Sequence, residues 1–203
     1  MKAVFKNIFA GFCVSALCSL VLFMPARAQV LAHSSDASGA IGYDHTSYTS
    51  STDGPIPTSK YFLSGSGGYN VTPYITVLGE YKFDPLDAPS GNLFKWHSQL
   101  YGGAARFNFT PSKKIVPYVT VGVGGYRLTA SKPGTIQNVD GYYVNFGGGA
   151  SVYLGKHWGI RPEVRYERQH CMYNPAHETL TANVADVSGS FFYQFGGTGN
   201  KKK

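Results

Sequence analysis

The chain has 203 residues, with 18 Lys and Arg against 11 Asp and Glu and three cysteines. Its basicity sits at the ends: without Lys2, Lys6, Arg27, Lys201, Lys202 and Lys203 the 18 bases fall to 12, against the same 11 acids. A body so nearly neutral excludes a nucleic-acid partner held by charge, and the length suits one domain.

Residues 1–28 read as a secretory signal peptide. Lys2 and Lys6 give a basic start, Ile8 to Met24 an uncharged apolar run, and Ala26-Arg27-Ala28 a small-x-small cleavage motif. Cleavage is predicted between Ala28 and Gln29. A membrane-anchoring helix is the alternative, disfavoured by Pro25 and the motif; a lipoprotein signal at Cys18 is disfavoured by Leu17 before it. Cys13 and Cys18 leave with the peptide, so Cys171 remains alone and an intrachain disulfide is excluded. No long apolar stretch follows Gln29, so the mature chain is predicted to be a soluble domain or a barrel.

After a short lead at 29–35, the pattern has period two in segments of about ten residues, separated by Pro, Gly, Asn, Asp and Ser clusters. Eight strands are predicted, at 36–47, 60–71, 74–84, 98–110, 117–129, 140–154, 158–169 and 181–195. The first shows the least contrast. In the third, Ile75, Val77, Gly79, Tyr81 and Phe83 oppose Thr76, Leu78, Glu80, Lys82 and Asp84. In the seventh, Arg161, Glu163, Arg165, Glu167 and Gln169 oppose Ile160, Pro162, Val164 and Tyr166. Connections alternate: short turns at 71–73, 111–116 and 155–157, and long polar spans at 48–59, 85–97, 130–139 and 170–180. That asymmetry suits a transmembrane barrel with its long loops outside the cell.

Aromatics gather beside the short turns: Tyr69, Tyr74, Phe107, Phe109, Tyr118, Tyr153, Trp158, Tyr193 and Phe195 are predicted to form a periplasmic girdle. The polar faces carry charges of both signs at Asp44, Glu80, Lys82, Arg106, Arg161, Glu163, Arg165, Glu167 and Asp186. These are predicted to pair as a structural network in a packed lumen, since an eight-stranded barrel is too narrow for a wide pore and a lone buried charge is costly. A soluble lipocalin-like barrel that binds lipid would reverse the two faces.

Three stretches, Val116 to Gly124, Asn145 to Ala150 and Gly159 to Tyr166, resemble the outer-membrane β-barrel domain family, the group that includes the OmpA transmembrane domain. The alternating aromatics that end at Phe195 are similar to that family's C-terminal assembly signal, although a basic tail, 196–203, follows here. The resemblance spans 36–195. It implies an all-β, eight-stranded antiparallel up-and-down barrel in the outer membrane of a Gram-negative cell envelope. Its implied partners are outer-membrane lipid, the assembly machinery and an extracellular ligand met by the long loops.

Some such barrels are lipid-modifying enzymes. His45, His97, His170 and His177 fall at the outer ends, with Ser47 and Ser98 near two of them. His45-Thr46-Ser47 superficially resembles the His-x-Ser of lipid A deacylases. No acid follows on that strand, and the strand is the wrong one for that family, so no catalytic residue is assigned. His170, Cys171 and His177 match no standard zinc spacing, and Gly147-Gly148-Gly149 precedes no helix and is no phosphate loop. No metal or cofactor is predicted.

Overall fold

In a computed structural model, residues 30–49, 58–59, 61–87, 95–132, 134–173 and 178–197 are described. The predicted signal peptide with its Ala28–Gln29 cleavage point, His177 and the end of the basic tail lie outside them, as do the side chains of Ser47 and Cys171.

The eight strands are β1 Ser34–Thr49, β2 in two stretches, Thr58–Ser59 and Phe62–Asn70, β3 Ile75–Asp87, β4 Lys95–Asn108, β5 Ile115–Lys132, β6 Thr135–Tyr153, β7 Trp158–Tyr173 and β8 Glu178–Gly196. Each pairs antiparallel with its neighbours in sequence, and β1 pairs with β8 from Ser34↔Gly196 to Thr49↔Thr181, which closes the sheet. No sheet edge is left along this seam, a requirement for a β-structure in lipid.

Stepping through cross-strand partners from Gly39 gives Gly65, Tyr81, Tyr101, Gly125, Tyr142, His170, Thr181 and then Thr49, so the register advances ten residues in one circuit. Eight strands with that stagger tilt by about 40° and lie about 8 Å from the barrel axis. Inward side chains from opposite walls therefore meet. Gly102 and Gly124 are cross-strand partners on that inner wall, and a Cβ on either would come within 2.7 Å of the other's Cα and of Tyr143. The absent side chains make room for the Tyr143 ring.

The strands outrun the predicted segments at the outer end. The span 130–139, predicted as a loop, is a hairpin paired as far as Lys132↔Thr135, with Gly134 in the left-handed region at φ 81°, which glycine adopts without penalty. The strands likewise enter the predicted spans 48–59, 85–97 and 170–180. Where an antiparallel ribbon extends past the closed barrel both its faces can meet water, so its residues lose the apolar contrast by which strands are recognised. The turns at the other end are tight. Leu154 and Gly155 both donate to the Trp158 carbonyl at 3.1 Å, and Thr72 Oγ1 accepts the amides of Tyr74 and Ile75.

The lead folds into that same end. The Val30 amide donates to the Pro111 carbonyl at 2.9 Å, and its side chain joins Val116, Tyr153 and Phe192 in a buried apolar cluster.

Candidate functional site

The alternation of the strands sends two different sets of side chains to the two walls. The lumen-facing set is arranged in layers. At the turn end, Ser34 Oγ receives Asn70 Nδ2 at 2.7 Å and Gln194 Nε2 at 2.9 Å, and Tyr153 Oη donates to Gln194 Oε1 at 2.9 Å. Above it, one carboxylate oxygen of Asp36 accepts from Arg161 Nη2 at 2.5 Å and from Arg106 Nη1 at 3.3 Å. The Phe192 ring centroid lies 3.9 Å from the Arg161 guanidinium and that of Tyr118 4.9 Å from the Arg106 guanidinium, so an aromatic face lies against each cation.

In the middle layer Arg165 makes a two-pronged pair with Glu80, at 2.7 and 2.8 Å, and its Nε donates to Glu163. Glu163 also accepts from Tyr118 Oη at 3.0 Å. In the upper layer Lys82 meets Asp186 at 2.8 Å and Asp44 and Glu167 at 3.3 Å. Asp84 accepts from Ser98 beside them, at 2.8 Å. All nine charged residues selected from the sequence are buried or half-buried on the inner wall. Asp36 and Asp84 belong with them, beyond the nine expected from the sequence. Asp84 stands on the polar face of its strand in the sequence pattern; Asp36 lies near the start of β1, where small residues on both faces hide the alternation.

Between the middle and upper layers is a polar cavity of about 60 Å³, lined among others by Ser38, Ser66, Ser188, Ser190, Lys82 and Arg165. At roughly 10–15 Å³ per water it holds a few molecules and is no passage.

The outward set is apolar. Seven of the nine predicted girdle residues, Tyr69, Tyr74, Phe107, Phe109, Trp158, Tyr193 and Phe195, are exposed on the outer wall or at its turns. Tyr118 and Tyr153 are not: they are 2% and 1% exposed and point into the lumen. Both sit at the right level, but on the parity of Thr120 and Ser151, and period two sends them inward.

Among the described residues the histidines stand apart from one another and from the serines near them. Ser98 faces the lumen and Asp84, while its neighbour His97 faces outward against Phe83, with ring centroids 5.5 Å apart. His45 is exposed on β1. His170 stands on the outer wall against Tyr142, at 5.3 Å between rings, with Thr181 Oγ1 3.0 Å from Nδ1. Among the described residues no group of three or more His, Cys, Asp or Glu is placed to hold a metal, and no helix is long and apolar enough to cross a membrane, which leaves a crossing by strands open.

The sequence matches the model of the outer membrane protein β-barrel domain over residues 14–195. The chain belongs to that family. It is accordingly an outer-membrane protein, and its closed antiparallel sheet is that family's barrel. Solved structures with the same fold include Neisserial surface protein A, at 14% identity and a TM-score of 0.62, covering 80% of this chain and 97% of that one. The N-terminal β-barrel domain of Pseudomonas aeruginosa OprF aligns at 17% identity and a TM-score of 0.50, covering 80% and 99%. OprG from the same organism aligns at 13% and 0.50, covering 84% and 99%. No curated protein matches the sequence. At these identities the structural likeness concerns the fold.

Proposed function

We propose that this barrel is a rigid, closed outer-membrane scaffold that presents its outer strand ends to the cell's surroundings, with neither a wide pore nor an active site. The stacked ion pairs carry this reading. Arg106 and Arg161 share Asp36 across the lumen, Arg165 joins β7 to Glu80 on β3, and Lys82 on β3 joins β1, β7 and β8. Such cross-wall pairs fix the lumen in one arrangement and occupy the space a pore needs.

The strand lengths support the presenting role. An apolar band about 25 Å tall takes about ten tilted residues, whereas β6 and β8 have nineteen each. The surplus stands above the bilayer. The short turns and both described chain ends then face the periplasm, after export by the signal peptide and insertion by the assembly machinery. A lipid-modifying enzyme finds no support in the separated His97 and Ser98. A soluble lipid-binding barrel would need its apolar wall inside, and the apolar wall here is outside.

Proteoliposome swelling tests the closed lumen. Vesicles carrying the protein should swell in isosmotic small sugar no faster than protein-free vesicles. Sugar entry that rises with the amount of barrel would contradict the reading.

A further inference from the structure

We infer that the outer wall of β7 and β8 binds the phosphate of an outer-leaflet lipid headgroup, with Arg168 as its principal ligand. Arg168 lies ten residues beyond Trp158 on the same strand and the same outward face. At about 3.3 Å per residue and a tilt of about 40°, that is about 25 Å along the barrel axis, the height of the apolar band. With the Trp158 ring at one interface, the Arg168 guanidinium emerges at the other.

The neighbouring side chains change character at this level. Outward positions on β7 run Pro162, Val164, Tyr166 and then Arg168 and His170; on β8 they run Phe191, Gly189, Val187, Ala185 and then Asn183 and Thr181. Arg168 and Asn183 are direct cross-strand partners, with His170 and Thr181 the next pair on that face. Tyr166 Oη donates to Asn183 Oδ1 at 2.8 Å, which orients the Asn183 amide and leaves its NH₂ for another acceptor. His170 is held through Nδ1 by Thr181 and by its ring against Tyr142, which leaves Nε2 available.

The three groups offered, a guanidinium, an amide NH₂ and an imidazole nitrogen, suit an acceptor-rich anion. A guanidinium grips phosphate with two parallel bonds. Among the described residues one further exposed arginine stands on the outer wall, Arg127, and it is already matched: its Nε donates to Asp140 at 2.6 Å. Arg168 makes no ion pair or hydrogen bond with a described residue. A cation with no partner among the described residues therefore stands at headgroup depth beside the two polar groups.

The inference rests on the membrane reading, which the heat-dependent gel shift of the folded barrel reports separately. The full-length barrel is placed in phosphatidylcholine nanodiscs with a minor fraction of phosphatidic acid, and retained lipid is counted by native mass spectrometry. Arg168→Gln should weaken phosphatidic acid retention about tenfold, the loss of one charge-assisted hydrogen-bonded contact, while Arg127→Gln leaves it unchanged. If Arg168→Gln fails to give the folded gel band, the pair His170→Ala with Asn183→Ala carries the test and should weaken retention at least several-fold. Equal retention by a folded test variant and the parent would overturn the site. So would equal weakening by Arg127→Gln, which would mean diffuse surface charge.

Discussion

Asp36→Asn tests the lumen at its most economical point. Arg161 Nη2 and Arg106 Nη1 lie 2.5 and 3.3 Å from the same Asp36 oxygen, so the two cationic nitrogens are within about 6 Å of each other. Both residues are 3% exposed. Asn keeps the volume and one acceptor but removes the charge. Two unit charges about 5–6 Å apart repel by about 3 kcal/mol at an effective dielectric of about 20, and breaking a buried ion pair costs about 3–5 kcal/mol. The two figures describe one effect seen two ways and are not to be added. For a chain of this size, 1 kcal/mol corresponds to about 2–4 °C, so the variant should unfold about 10 °C lower in detergent micelles, followed by circular dichroism in the β region. An unchanged midpoint would refute the claim that Asp36 holds the two arginines, and Asp140→Asn, at an exposed pair, supplies the reference with no measurable shift expected.

Glu163→Ala should be milder, about 1–3 kcal/mol, because Arg165 keeps both prongs on Glu80 and the main loss is the acceptor for Tyr118; a denaturant titration gives the figure, and a loss as large as that of Asp36→Asn would contradict the layering. Gly124→Val should abolish the heat-dependent gel shift, since its Cβ would strike the Gly102 backbone, whereas Gly79→Ala, with nothing within 4 Å, should leave it intact. Gln137→Cys, in a Cys171→Ser background, should react with a membrane-impermeant maleimide on intact cells, because it stands exposed near the tip of the β5–β6 hairpin; protection until the cells are broken would invert the orientation.

The fold was legible because the bilayer imposes contrast. Val164 and Tyr166 alternate with Glu163, Arg165 and Glu167, and a period of two follows directly from one wall meeting lipid and the other a packed lumen. Two kinds of feature escaped. Where contrast fades the strand fades with it, as at Asp36 among Ser35, Ala37 and Ser38 and in the ribbon from Ser131 to Asn138. And nearness to a turn does not fix the wall: Tyr118 and Tyr153 lie beside turns, as girdle residues do, yet their alternation points them inward.

Which base meets which acid was also beyond the sequence. Glu163 stands two residues from both Arg161 and Arg165 on one face, yet Arg161 turns to Asp36 and only Arg165 reaches Glu163. That choice depends on the ten-residue stagger, which sets the strands opposite one another and is a property of the closed sheet. The patch at Arg168 was invisible for a related reason. Asn183 and His170 become its neighbours only when β7 and β8 pair.

Heat modifiability of the outer-membrane fraction decides whether this chain forms a closed barrel in that membrane. Cells are separated into periplasm, inner and outer membrane, and each fraction is run on a denaturing gel with and without boiling. The expected result is a band confined to the outer membrane that migrates differently before and after boiling, as a closed barrel resists unfolding by detergent alone. A band in the soluble periplasm, or an outer-membrane band indifferent to boiling, would contradict it.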